Sequence, residues 1–462
     1  MSAIPACRLL DLPTSNGSKS YAVRPRCNTA RPPWAASSTS ADAHRAGFNF
    51  NYGNNNSTLP GSGFRRSNNP DVQPTEYVRK NWNSAFNYDG HSGGNAFKWQ
   101  AAYSFGNDDR ERTPAGGTTV ITTLKTRTFN AQAGYTADLV SLSAGVDHVK
   151  YTEQDTENVQ RDTGVYFTGK LRLFDERLIF SAGGRYDSYA NKKDAVDKEY
   201  GNFGGSVGAA YLPVKWLKLR ANYAEGFKVP TVGNMFGSPP WYAPNFDLKP
   251  EKSKTVEFGT DISSDYIDVG LTYFHSDYKG KIVNLQVTGL DYPYQARNLD
   301  ATLAGLESSF RMDTGRVFGQ DYGLTPYISF TWMGTIRNED ESQFINFQGN
   351  RVDTLPNTPK WMASYGLDYN NPALKLKTRL SASRYGTLLT SDYDTGLGWI
   401  ERPAGTVVNL SAERELARFG DNGSALNLRA EVNNMFDGKN EQYWSYPGSG
   451  RSFYFGLRYL FD

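Results

Sequence analysis

Apolar and polar residues alternate through most of this chain with a period of two. The closing stretch GRSFYFGLRYLFD places Phe453, Phe455, Leu457, Tyr459 and Phe461 on one face of an extended segment, and Ser452, Tyr454, Gly456, Arg458 and Leu460 on the other. In LKLRANY, Leu217, Leu219, Ala221 and Tyr223 alternate with Lys218, Arg220 and Asn222. ALKLKTRLSAS sets Leu374, Leu376, Leu380 and Ala382 against Lys375, Lys377, Arg379, Ser381 and Ser383. ALNLRAEVNN repeats the scheme, with Leu426, Leu428, Ala430 and Val432 opposite Asn427, Arg429, Glu431 and Asn433. A soluble sandwich alternates too. Here Lys, Arg and Glu recur on the polar face, as they would facing a water-filled lumen, and aromatic residues gather near strand ends, as an interfacial girdle requires.

The spacing of the strands points the same way. Short turns are expected at DGHSGGN, TADLVS, FDER, YLPVK, SSDY and NNPA. Long loops are expected at 54–75, 107–124, 152–163, 189–203, 228–251, 338–358, 387–404 and 437–450. Short and long alternate, as in a barrel with tight turns on one side of a membrane and long loops on the other; only the segment 312–323 is longer than that scheme wants. The expectation is an all-β, antiparallel transmembrane β-barrel of about 18 strands, whose last strand closes against the first and removes both edges.

Composition sharpens this. The chain has 462 residues with a net charge of +2 and a mean hydropathy of −0.60, which by themselves suggest a soluble protein. No apolar run approaches the roughly 18 residues of a membrane helix. Yet 14% of residues are aromatic and 45 are Gly, which favours twisted strands. A barrel reconciles these facts, because only alternate residues meet lipid. The balanced charge argues against nucleic acid as a partner. The two cysteines, Cys7 and Cys27, read as incidental thiols. Residues 1–43 are rich in Pro, Ser and Ala, with no period and no secretory signal. They are expected to be disordered or out of frame, with the barrel occupying 44–462.

Several stretches resemble TonB-dependent outer-membrane receptors. NYAEGFKVPTVGNMFG is similar to the family's Phe-Arg-x-Pro strand end, with Phe227, Lys228, Val229 and Pro230 in place and Lys where Arg is usual. APNFDLKPEKSKTVEFGTD resembles the stretch that follows, through Asn245, Leu248, Lys249, Pro250 and Glu251. YQARNLDATLAGLESSF carries Asn298, Gly305 and Glu307 of a further family strand, and LRAEVNNMFDGK with GRSFYFGLRYLF is similar to the last hairpin. The aromatic last strand (Phe453, Phe455, Leu457, Tyr459, Phe461) resembles the signal read by the outer-membrane assembly machinery, although Asp462 follows it. The resemblance implies a barrel of about 22 strands around a plug, a short box that contacts the TonB complex, a bacterial outer-membrane location, lipid around the wall, and uptake of a ferric siderophore or similar nutrient. Plug and box are not recognisable here, so the chain reads as an N-terminally truncated receptor lacking energised transport.

Ligand contacts are expected on the long loops. Trp241 and Tyr242, then Tyr292, Tyr294 and Arg297, then Tyr443, Trp444 and Tyr446 combine aromatic faces with a guanidinium, which suits an anionic aromatic chelate. Each aromatic could equally anchor the rim at the headgroup level. Haem usually takes a His ligand, and none of His44, His91, His148 and His275 falls between the Phe-Lys-Val-Pro and Asn-Phe-Asp-Leu stretches, which argues against haem. Asp194, Asp197 and Glu199 are interleaved with lysines and read as a solvated loop rather than a calcium site. GGSVG around Ser206 lies in a strand pattern without a following helix, so no hydrolase is expected, nor any metal or cofactor. A passive porin and a non-functional remnant are the alternatives.

Overall fold

The computed structural model describes residues 43–59, 75–93, 96–113, 117–154, 158–193, 196–237, 242–286, 294–339, 354–392, 398–419, 424–438, 441–443, 446–447 and 450–460. Cys7 and Cys27 lie outside these residues. The first strands are β1 (Ala43–Leu59), β2 (Thr75–Ser92), β3 (Phe97–Thr113), β4 (Val120–Thr136), β5 (Val140–Glu153), β6 (Asn158–Leu173), β7 (Leu178–Lys193), β8 (Val196–Val214) and β9 (Leu217–Lys228). A short helix α1 (Val232–Phe236) and the two-residue β10 (Tyr242–Ala243) precede β11 (Glu251–Ser263), β12 (Ile267–Gln286) and β13 (Tyr294–Met312). Then come α2 (Thr314–Val317), β14 (Gly323–Asn338), β15 (Trp361–Asn371), β16 (Leu376–Tyr385), β17 (Leu388–Asp392), β18 (Gly398–Arg402), β19 (Gly405–Phe419), β20 (Ser424–Asn433), β21 (Glu441–Tyr443), β22 (Tyr446–Pro447) and β23 (Ser452–Leu460).

The main sheet holds 19 strands. One of them, β10, joins β13 in parallel; the other 18 form a continuous antiparallel meander, matching the number expected from the pattern. The hairpins β17–β18 and β21–β22 stand apart as small sheets. The expected closing ladder is not made among the described residues: β1 pairs with β2, β23 pairs with β20, and each keeps a free edge.

Side-chain alternation sorts the two faces. Outward stand Phe48, Phe50, Phe86, Phe129, Phe167, Phe180, Val207, Phe258 and Tyr273, all exposed, as lipid contact requires. The aromatic last strand belongs here, with Phe453, Phe455, Leu457 and Tyr459 exposed; Phe461 lies outside the described residues. Inward, ion pairs bridge neighbouring strands, Arg79 to Asp108 at 2.7 Å, Arg220 to Asp261 at 3.3 Å and Arg379 to Asp368 at 2.6 Å, and Arg185 on β7 reaches across β6 to Asp147 on β5 at 2.7 Å.

The short-turn end follows expectation. The FDER turn links β6 to β7 and SSDY links β11 to β12, while the long segment after β13 is filled by α2, capped by the Asp313 side chain on Arg316 N. The long-loop end differs over the first half of the chain. Most of the loops expected at 107–124, 152–163 and 189–203 is strand, because polar side chains carry the alternation onward and pair across the ladder, as Lys80 with Glu111 and Thr123 with Asp109. Strands β1 to β8 run 14 to 19 residues, well beyond the roughly 9–11 that cross a bilayer. In the second half most of the buried apolar side chains collect on the described residues of this end.

Candidate ligand site at the long-loop end

Two small apolar clusters lie on opposite faces of the upper parts of β12 and β13. Met235, Leu248 and Ala296 form one, with Phe236 and Ile282 against it. Leu285, Leu299, Ala301 and Leu355 form the other, with Tyr278, Val283, Leu303, Ile336 and Leu389 packed around it. The loop segments 229–237 and 242–250 are thereby folded down into a ledge rather than left in solvent.

The family-like residues turn out to be the clamps of that ledge. Pro230 is fully buried and its carbonyl accepts from Asn191 Nδ2 at 3.1 Å. Phe227 meets the Tyr189 ring at 5.9 Å. Thr231 caps α1 by accepting from Asn234 N, while the Asn234 side chain accepts from Thr231 N, a reciprocal capping box. Asn245 donates from Nδ2 to Ala296 O at 2.8 Å and from its backbone to Met235 O at 2.7 Å. Leu248 is buried between Met235 and Ala296, and half-buried Pro250 leads into β11. Glu251 is buried, accepts from Ile282 N at 3.1 Å, and faces Lys281 at 3.5 Å and Lys228 at 4.0 Å.

Asn298 ties three segments together. Its Oδ1 accepts from Lys249 N, and its Nδ2 donates to Lys249 O and to Gly280 O. Gly280 takes a positive φ of 66° where the β12–β13 register shifts, a bulge that Gly accommodates without strain. Gly305 stands where a Cβ would come within 2.1 Å of Trp332 O, so only Gly fits that ladder position. At the end of β14, Arg337 and the Thr302 hydroxyl hold the Glu339 carboxyl below its ordinary range.

The expected ligand residues are placed unevenly. Tyr242 and Tyr294 face each other across the parallel β10–β13 pair, rings 5.5 Å apart, with Tyr294 buried and Tyr242 half-buried. Arg297 is half-buried and donates from Nε to Gln295 Oε1 at 3.0 Å. The backbone of Tyr443 pairs with Tyr446 in the β21–β22 hairpin. Trp241, Tyr292 and Trp444 lie outside the described residues. Of the four histidines, His44 and His91 sit at the short-turn end, while His148 and His275 alternate onto the outward face beside Thr163 and Asp277, with His275 on β12 just below Tyr278 of the second cluster.

Sequence reasoning passed over one further group. The β17–β18 hairpin packs Leu389 against the second cluster, and Leu389 O accepts from Asn357 N at 2.6 Å. In it, Thr390 and Arg402 are buried to 2% and 6% exposure, and the Arg402 guanidinium lies over the Tyr385 ring at 5.1 Å. A lone Arg in a stretch that the alternation reads as loop carries no periodic signal that would have marked it.

A meander of long strands with an oily outer face, an ion-paired inner face and packed loops at one end defines a membrane β-barrel of the receptor type. A family profile described as "TonB dependent receptor-like, beta-barrel" matches residues 24–435. The chain belongs to that family, a family of outer-membrane barrels. Among curated proteins it is similar to Heme/hemopexin utilization protein C of Haemophilus influenzae, 25% identical over 222 residues, which are 40% of this chain and 30% of that protein. It is also similar to the Hemin receptor of Yersinia pestis, 23% identical over 257 residues, 50% of this chain and 36% of that protein. The matches thus span about a third of each relative's length. Among solved structures, the FrpB iron transporter of Neisseria meningitidis (F5-1 variant) aligns with a TM-score of 0.68 at 17% identity, covering 90% of this chain and 70% of that one. A ferric enterobactin receptor mutant of Pseudomonas aeruginosa in complex with enterobactin aligns at 0.64 and 18%, covering 89% and 68%. These likenesses bear on the fold.

Proposed function

We propose that residues 44–462 form the barrel of an outer-membrane receptor that takes up a ferric chelate of the siderophore kind, with the ledge between β9 and β19 contributing to its ligand surface. The observation that carries this reading is the placement of the buried apolar residues. They fix the segments 229–237, 242–250 and 354–357 over one end of the barrel, giving a side-chain-clamped surface at its mouth. Energy coupling through TonB belongs to the plug and box of whole receptors, and the barrel's part is capture and passage.

Haem is a second reading, favoured by the names of the curated relatives. The placement of His44, His91, His148 and His275 weighs against a His-ligated haem held by the ledge. Binding decides between them. The chain is refolded in detergent and titrated with ferric tris-catecholate, ferric trihydroxamate and haemin, following tryptophan fluorescence. Saturable quenching by an iron chelate with none by haemin supports the siderophore reading, and the reverse supports haem. Binding of none of the three, together with steady conductance in a planar bilayer, would establish a porin instead.

A further inference from the structure

Arg402 is in an unusual state. Its side chain is buried to 6% exposure, and its Nε finds no hydrogen-bond partner. Among the described residues no carboxylate forms an ion pair with it; the π face of Tyr385 lies 5.1 Å from the guanidinium carbon. A guanidinium stays charged at any pH a protein survives. Burying it without a counter-ion is strongly unfavourable, so such a group is normally paired. The inward ion pairs of this barrel follow that rule, since Arg79, Arg185, Arg220, Arg379 and Arg458 each meet an Asp or Glu.

Its position is as telling as its lack of a partner. Tyr385 shares a face of β16 with Arg379, whose guanidinium bonds Asp368, and that face is opposite to exposed Leu380. Arg402 therefore lies over the inward side of the wall at its long-loop end. Leu388 is its ladder partner in the β17–β18 hairpin, and the neighbouring Leu389 joins the hairpin to the apolar cluster beneath the ledge. The hairpin holds a largely buried cation on an aromatic face at the mouth of the barrel.

We propose that Arg402 is the anchor for an anionic oxygen of the incoming ligand, a catecholate or carboxylate of the chelate, which supplies the acceptor that Nε lacks. Planar donors of the guanidinium suit a bidentate oxyanion, and the Tyr385 ring would flank an aromatic chelator. This assignment rests on the iron-chelate reading above and narrows it to negatively charged chelates.

The test uses the full chain refolded in detergent, with two probes: the negatively charged ferric tris-catecholate and an uncharged ferric trihydroxamate. Arg402→Met keeps the apolar volume and removes the charge; Arg402→Lys keeps a charge without the fork. The expected result is that Arg402→Met weakens the catecholate at least about tenfold, leaves the hydroxamate within about twofold, and leaves the ligand-free hairpin as resistant to protease as before or more so. Arg402→Lys should fall between. Equal loss for both probes, no loss for either, or faster clipping of the ligand-free hairpin would overturn the proposal, the last by revealing a counter-ion within the chain. If the unsubstituted chain binds neither probe, the iron-chelate reading falls and takes this assignment with it. If it binds both but Arg402→Met changes nothing, only the assignment falls.

Discussion

Asn298 shows how much a single side chain does at the mouth of this barrel. It fills three hydrogen-bonding roles, two on Lys249 and one on the Gly280 bulge, so it holds loop 229–250 to β12 and β13 at once. Hydrogen bonds of this kind contribute about 1 kcal/mol each. Asn298→Ala is expected to weaken docking of the loop by about 2 kcal/mol without unfolding the wall. Limited proteolysis would then cut between residues 229 and 250 while the folded barrel keeps its mobility on an unheated gel. Loss of the folded band would mean that the clamp serves the whole wall. At this scale the sequence was only partly legible. Asn245, Leu248, Glu251 and Asn298 were recognisable through resemblance, but not as clamps, because their partners lie on strands distant along the chain. Arg402 was invisible, since what distinguishes it is a missing partner.

Elements were easier to read. Alternation located the strands in LKLRANY, ALKLKTRLSAS and ALNLRAEVNN because the barrel wall is one layer thick, and each outward position is a direct vote for lipid. The misreadings fell at the upper ends of β3 to β8, where Asp, Lys, Thr and Gly resemble loop composition although the ladder continues through them. Composition reports exposure, and at these heights both faces of the sheet are wet. The FDER turn is a different case. Phe174, Asp175 and Glu176 all take positive φ, at 54°, 55° and 65°, a left-handed run that disfavours residues with a Cβ by about 1 kcal/mol apiece. Asp175→Gly is expected to stabilise the barrel by about 1 kcal/mol, seen as a higher urea midpoint for refolding into lipid. A lower midpoint would show that the Asp175 side chain contributes more than its backbone geometry costs.

For the whole molecule, the division into an oily outside and an ion-paired inside sets what the wall tolerates. Phe258 stands outward and is exposed, so Phe258→Arg should destabilise the barrel by about 2–4 kcal/mol if it lies near the bilayer midplane. Lys377 alternates inward, is exposed to the lumen and makes no ion pair among the described residues, so Lys377→Gln should change stability by less than about 0.5 kcal/mol. Equal effects from the two in a lipid-folding titration would contradict the assignment of faces. The class of fold was legible at this scale, whereas the edges that β1 and β23 leave unpaired among the described residues were not, because alternation says which way a side chain points and nothing about which strand lies beside it. The wall asks only that a residue be oily or wet, while the ledge asks for particular donors and acceptors at particular atoms. Descent should therefore erode the two at different speeds, with wall positions drifting freely within their chemical type and Asn245, Asn298, Gly305 and Glu251 standing nearly still. A barrel can then share its shape with others at 15–18% identity and still carry, in a handful of places, a legible record of common ancestry.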